Sequence, residues 1–203
     1  MICYYNSKIS INFLILVTQI NGVMKNKTPM LKTIFFLIIA SLSGCDQESI
    51  EVSTDQEVFF EVSYINFAWG KQFKGFLINK DGQIRTYDKP VKWNTIDGKN
   101  GLSLTQLEEN ISNTVASTTT ISAADLKSYS SKISLITNSE FTKPVSAGAD
   151  RGITSFYAYR YDPDKQVYTP VLLSQIGDTE TYNTDKSAVE ISTWLTGILA
   201  KIY

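Results

Sequence analysis

The sequence contains no histidine and only two cysteines, Cys3 and Cys45, among 203 residues. Histidine is the commonest general base and the commonest metal ligand in proteins. Without histidine or paired thiols, zinc sites and the usual cysteine or serine nucleophile pairs are excluded. An enzyme of this composition would have to use carboxylates, lysine, tyrosine or serine. We therefore predict no metal and no cofactor.

Nucleotide-binding motifs are missing as well. No stretch matches GxxxxGK[ST] or GxGxxG, the glycine-rich patterns whose backbone amides hold phosphates. The turn Asp162-Pro163-Asp164 begins like a calcium loop, but the glycine that such a loop needs is absent. The sequence thus gives no positive motif for catalysis.

A targeting signal precedes the rest of the chain. Residues 24–45 read MKNKTPMLKTIFFLIIASLSGC, with three lysines before an apolar run from Thr33 to Leu42. That run is shorter than the roughly 20 residues that span a bilayer, and its order of charge, apolar core and small residues is typical of a secretory signal. The final four residues, Leu42-Ser43-Gly44-Cys45, resemble the lipobox of bacterial lipoproteins.

The resemblance implies that the peptide before Cys45 is removed and that this cysteine carries acyl chains, which anchor the protein in a membrane. The preferred start is Met24; a longer leader with two apolar segments is the alternative. Asp46 resembles an inner-membrane retention signal of enterobacteria, whereas in other bacteria acidic residues there resemble surface-export signals. We expect a position on the periplasmic or external side of a membrane and leave the leaflet open.

Removing residues 1–44 leaves 159 residues with 15 basic and 20 acidic side chains, a formal net charge of −5. Nucleic-acid binders need a clustered basic face, so we predict no nucleic-acid partner. We divide the chain into a leader (residues 1–44), a lipidated cysteine with an acidic tether (45–56) and one globular domain (57–203). The length is sufficient for a single hydrophobic core.

The domain is predicted to be α+β, with a mainly antiparallel sheet of two hairpins and two to three helices packed on one face. Apolar residues at both strand faces indicate an inner strand over Val58–Trp69, and Asn79-Lys80-Asp81-Gly82 predicts the first hairpin turn. Ile153–Tyr161 and Gln166–Ile176 form the second hairpin. A helix starts at a capping box of Ser103 and Gln106, another starts near Ser122, and an amphipathic helix capped by Ser187 ends the chain.

Aromatic residues supply the candidate binding surface. Tyr157, Tyr159 and Tyr161 alternate along one predicted strand, with Tyr168 on its partner. An exposed aromatic row can stack on sugars or bind a protein, whereas the alternative is cross-strand packing inside the domain. Trp69, in the stretch Asn66–Lys71 at a strand end, is a further candidate.

Four acidic residues lie near predicted strands or loops: Glu61, Asp88, Asp150 and Asp178. Two of them at the right separation would make a glycosidase pair.

Val171–Leu173, Gly177-Asp178 and Trp194-Leu195 are similar to uncharacterised lipoproteins of low-GC bacteria, a resemblance that implies no function. The leading hypothesis is a membrane-anchored, non-catalytic binding or accessory module of the cell envelope that contacts protein or glycan. The alternative is a small carboxylate-dependent hydrolase acting on envelope polysaccharide.

Overall fold

Hydrogen bonds between antiparallel strands organise the domain. A computed structural model describes residues 55–96, 101–136 and 140–203; the leader, Cys45 and most of the tether lie outside these ranges. Within them, nine strands join one sheet in the order β5-β3-β2-β1-β7-β8-β9-β6, while β4 pairs with β8. Their bounds are β1 Val58–Asn66, β2 Gln72–Asn79, β3 Gln83–Asp88, β4 Leu102–Ser103, β5 Val115–Thr120, β6 Val145–Ser146, β7 Ile153–Asp162, β8 Val167–Gly177 and β9 Thr179–Tyr182.

Strand β1 lies in the middle of the sheet, as its apolar run predicts. It pairs with β2 on one side and β7 on the other, so its backbone groups are satisfied on both edges. A bulge between Val58 and Phe60 inserts Phe59 as an extra residue. The bulge places the Phe59 ring in the same core as Phe60, whereas strict alternation would have placed them on opposite faces.

Helices cover both faces of the sheet, so the expectation that they pack on one face is wrong. The described helices are α1 Leu104–Ser112, α2 Ala123–Ser130 and α3 Lys186–Ile202, with a 3-10 turn at Ile133–Leu135. Phe76 packs in the core that contains residues of α2 and α3. Its neighbour Leu77 points the other way and packs with residues of α1. The sheet is therefore a shared wall between two apolar layers.

The α+β class, the antiparallel sheet and the C-terminal helix are confirmed. The capping box is also confirmed, because the Ser103 hydroxyl accepts from the Gln106 N–H while the Gln106 side chain accepts from the Ser103 N–H. At α3 the cap is Asp185, whose carboxylate accepts from the Ser187 N–H, so the predicted Ser187 cap is wrong by two residues. None of the helices in the described ranges is long and apolar enough to cross a bilayer.

Candidate functional site: a cleft at the end of strand β1

The predicted tyrosine row forms, but half of it is covered. Tyr159 and Tyr168 are completely buried, so neither belongs to an exposed binding surface. The rings of Tyr161 and Tyr168 pack across the β7–β8 ladder with centroids 4.6 Å apart. Leu102 and Leu107, from β4 and α1, close over this face. Cross-strand packing is thus the role of these two tyrosines, while Tyr157 and Tyr161 are half-buried.

Beneath this aromatic layer lies a buried acid, Glu61. This residue is 3% exposed, and its carboxyl accepts hydrogen bonds from the hydroxyls of Tyr159 and Tyr87, the latter at 3.1 Å. Gly75 makes the second contact possible, because a Cβ at that position would lie 2.6 Å from the Tyr87 hydroxyl oxygen. Glu61 is therefore tied into the core.

Burial dominates the electrostatics of this cluster, which we call the Glu61 cluster (Glu61, Tyr87 and Tyr159). Loss of solvent raises the pKa of Glu61, although its hydrogen bonds with Tyr159 and Tyr87 oppose the rise. Burial, followed by the nearby Glu61 charge, raises the pKa of both tyrosines well above the ordinary value. The cluster favours a neutral Glu61 more than solvent does.

Two exposed aromatic side chains, Phe67 and Trp69, lie in the loop after β1. Strand β1 ends at Asn66 because the Asn66 side-chain oxygen accepts from the Ala68 N–H at 2.8 Å, an Asx-type turn that redirects the backbone. The strand is thus shorter than the predicted Val58–Trp69. Phe67 is 70% exposed and Trp69 is 78% exposed. These two large apolar side chains are exposed two residues apart on one loop.

The Asn66 side chain also fastens a second loop beside the first. Its amide donates to the Asp150 carbonyl oxygen and to the Tyr64 hydroxyl oxygen, both at 3.0 Å. Asp150 has φ +64°, a left-handed conformation that asparagine and aspartate adopt more readily than other side-chain-bearing residues. The side-chain amide of Asn66 therefore positions the Asp150 loop against the end of β1.

Two glycines bring the Asp150 loop up to the β8–β9 turn. Gly152 has φ +71°, and a Cβ there would lie 2.5 Å from the Ile65 carbonyl oxygen. A Cβ on Gly177 would lie 1.8 Å from the Gly152 carbonyl oxygen. The next residue, Asp178, donates its N–H to that same oxygen at 2.9 Å. Close backbone contact thus places Asp150 and Asp178 in one region.

The result is a cleft of about 580 Å³ at the Asn66 end of β1, which we call the Asn66 cleft. Polar groups from three chain segments (63–68, 150–157 and 175–178) line it, and Phe67 contributes an apolar wall. Asp178 accepts from the Arg151 N–H at 2.7 Å. Within the described ranges, no hydrogen bond or ion pair engages the Asp150 carboxylate. The lining includes Phe67, Asp150, Tyr157, Gln175 and Asp178.

The structure therefore unites some sequence candidates and separates others. Tyr157, Asp150 and Asp178 share the Asn66 cleft, and Trp69 lies on the loop beside it. Glu61 is buried in its cluster, and Asp88 lines a different cleft, also about 580 Å³, between β3, β5 and the C-terminal end of α3. Hydroxyl groups of Ser117–Thr119 dominate the lining of that second cleft, which includes none of the tyrosines Tyr157, Tyr159, Tyr161 and Tyr168.

Metal ligation finds no support in the described ranges, where no group of three or more acidic, cysteine or histidine side chains converges. Arg151 is the cation that directly follows Asp150 in the sequence. It donates to the Ala147 carbonyl oxygen at 2.9 Å and lies 3.8 Å from the Glu180 carboxylate. The Asn66 cleft accordingly offers hydrogen-bond acceptors and an aromatic wall.

The sequence candidates include Trp69 and Tyr157 but not Phe67 and Gln175, which line the Asn66 cleft. The predicted strand Val58–Trp69 includes Phe67, and the exposure of this residue depends on where β1 stops. The Asx turn of Asn66 is the signal that could have found it, because asparagine commonly ends a strand in this way. No family model, curated protein or solved structure matches the chain.

Proposed function

We propose that the chain is a membrane-anchored, non-catalytic binding module of the cell envelope, and that the Asn66 cleft with its exposed Phe67 and Trp69 is its ligand-binding surface. The observation that carries the proposal is the pairing of two exposed aromatic rings with a preformed polar cleft. Binding pockets commonly combine an apolar wall with a few placed polar groups. The site replaces the tyrosine row as the candidate, since two of those tyrosines are buried.

Preorganisation supports a binding role. The loops that form the cleft are held by the Asn66 side chain and by the backbone hydrogen bond between Asp178 and Gly152. Fixed loops lose little conformational entropy when a ligand arrives, which favours affinity. Ligand binding would also remove apolar surface of the exposed rings from solvent, which favours association.

Cosedimentation tests the proposal. The full chain, kept in detergent, would be mixed with insoluble envelope material of the native host from which lipid has been extracted. We expect the chain to sediment with this material and a Phe67→Ala/Trp69→Ala variant to remain in solution. Val91→Ala is the matched control, because Val91 is 97% exposed and lies in a different loop. Equal sedimentation of all three proteins would overturn the assignment of the surface.

The membrane anchor is a separate part of the proposal and depends on the lipobox resemblance of Leu42–Cys45. A Cys45→Ser variant cannot be acylated on sulfur. We expect it to leave the membrane fraction, while the unaltered chain stays with the membranes after a salt wash. A Cys45→Ser protein that remains equally membrane-bound would contradict lipid anchoring.

The hydrolase remains a second candidate because Asp150 and Asp178 line one cleft. Glycoside hydrolysis needs one carboxyl as acid and another as nucleophile or base. The Asp178 carboxylate accepts a hydrogen bond from the Arg151 backbone N–H, and this bond holds the carboxylate in place. Release of reducing sugar from envelope polysaccharide by the full chain, abolished by Asp150→Asn, would establish the enzyme instead of the binder.

A further inference from the structure

The Asn66 cleft lies at one end of the sheet. Strand β1 begins at Val58, and the cleft lies where β1 stops, at Asn66. At about 3.4 Å per residue, Val58 and Asn66 are about 27 Å apart along the strand. The β2–β3 turn lies at the Val58 end, since the Lys80 N–H donates to the Glu57 carbonyl oxygen. The Asn66 cleft thus lies at the end of the sheet opposite to Val58 and the β2–β3 turn.

Charge in the cleft restricts the ligand. Asp150 and Asp178 contribute carboxylates, and Arg151 is engaged by the Ala147 carbonyl and the Glu180 carboxylate. An anionic group, such as a phosphate, would meet like charge here and lose its hydration without gaining a paired cation. The cleft is suited to a neutral or amino-bearing ligand that donates hydrogen bonds.

Size distinguishes a saccharide from a folded protein partner. A volume of about 580 Å³ lies within the range of about 300–1,000 Å³ that is usual for small-molecule sites. A stable protein interface needs about 800 Å² from each partner, whereas the exposed apolar surface here consists of two rings on one loop. Sugar rings present an apolar face to an aromatic side chain and hydroxyl groups to carboxylate and amide oxygens.

We infer that the ligand of the Asn66 cleft is a neutral or amino-bearing saccharide chain, an inference that rests on the proposed function. Phe67 and Trp69 stack on the sugar rings. Asp150, Gln175 and Asp178 accept or exchange hydrogen bonds with the hydroxyl or acetamido groups. Asn66 is a positioning residue, because its side-chain oxygen and amide are already engaged by Ala68, Tyr64 and Asp150.

Titration calorimetry on the full chain in detergent tests this inference. The probes are β-1,4-linked tetrasaccharides of glucose, N-acetylglucosamine and glucosamine, together with a glycerol-phosphate polymer. We expect saturable binding of at least one tetrasaccharide and none of the polymer. Trp69→Ala should weaken that binding by about tenfold or more, which corresponds to about 1.4 kcal/mol, and Val91→Ala should leave it unchanged.

The outcomes separate this inference from the function on which it rests. If the chain sediments with envelope material through Phe67 and Trp69 but binds none of the tetrasaccharides, the ligand class is wrong and the binding module stands. Binding of the glycerol-phosphate polymer would overturn the charge argument. Tetrasaccharide binding that Trp69→Ala does not weaken would place the sugar site elsewhere on the domain.

Discussion

Replacing Glu61 tests the physics of the domain most sharply, because one carboxyl satisfies two buried hydroxyl groups. Glu61→Leu removes both acceptors and leaves Tyr87 and Tyr159 without partners in the Glu61 cluster. Each buried polar group left unsatisfied costs about 1–3 kcal/mol. Glu61→Gln keeps an acceptor and a donor of the same shape and is uncharged. The leucine variant should therefore be less stable than the glutamine variant by about 2–6 kcal/mol.

Urea unfolding followed by tryptophan fluorescence measures this difference. Trp93 lies over Tyr87 with ring centroids 4.0 Å apart, so one fluorophore reports directly on this part of the core. With a slope of about 2 kcal/mol per molar urea, the midpoints of the two variants should differ by about 1–3 M. Equal midpoints would refute the claim that the hydrogen bonds of Glu61 stabilise the fold.

The pH dependence has a definite sign. Folding raises the pKa of Glu61 above the ordinary value of 4.5, so the native state holds the proton more tightly than the unfolded state. The contribution of Glu61 to stability is then full below pH 4.5 and declines as the pH rises through the native pKa. Relative to Glu61→Gln, the unaltered chain should lose stability with rising pH. If the difference in stability between the unaltered chain and Glu61→Gln stays constant as the pH rises from 4.5, the raised pKa of Glu61 is contradicted.

Three further substitutions have definite expected outcomes. Gly152→Ala forces a side chain into a left-handed conformation against the Ile65 carbonyl; it should lower stability by about 1–3 kcal/mol in urea unfolding and weaken ligand binding, and unchanged binding would contradict the loop argument. Trp194→Ala removes a partly buried ring that stacks on Tyr129 with centroids 4.2 Å apart and should cost about 0.5–3 kcal/mol by the same assay. Asp185→Ala removes the cap of α3 and should cost about 1 kcal/mol; no change in midpoint would show that the cap is dispensable.

The elements that local chemistry specifies were predictable from the sequence. The first hairpin turn needs Gly82, whose φ is +75°, and the Asn79 side-chain oxygen accepts from the Asp81 and Gln83 N–H groups. The Ser103 capping box follows the same logic, because the interacting groups are three residues apart. Each such motif is completed within a few residues of chain.

Features that depend on long-range packing were not predictable. The apolar stripe of α1 shows which side of the helix is buried but not which face of the sheet receives it. Because Phe76 and Leu77 are both apolar, β2 could accept a helix on either side, and the structure uses both. The predicted exposure of the tyrosine row was wrong for Tyr159 for the same reason, since the burial of Tyr159 depends on α1 covering that face of the sheet.

The Asn66 cleft was hidden for a related reason. Asp150 and Asp178 meet only because Gly152 and Gly177 allow two backbone segments into close contact. Nothing in the spacing of the acidic residues encodes that contact. Sequence reasoning could name the carboxylates and Trp69 but could not place them in a common site.

Acrylamide quenching of tryptophan fluorescence tests the central claim, that a ligand covers the exposed rings beside the Asn66 cleft. Trp69 is 78% exposed, whereas Trp93 and Trp194 are partly buried, so Trp69 should account for most of the quenching. We predict that soluble envelope polysaccharide reduces quenching of the full chain and leaves quenching of a Trp69→Phe variant unchanged. Quenching of the unaltered chain that is the same with and without the polysaccharide would contradict the account.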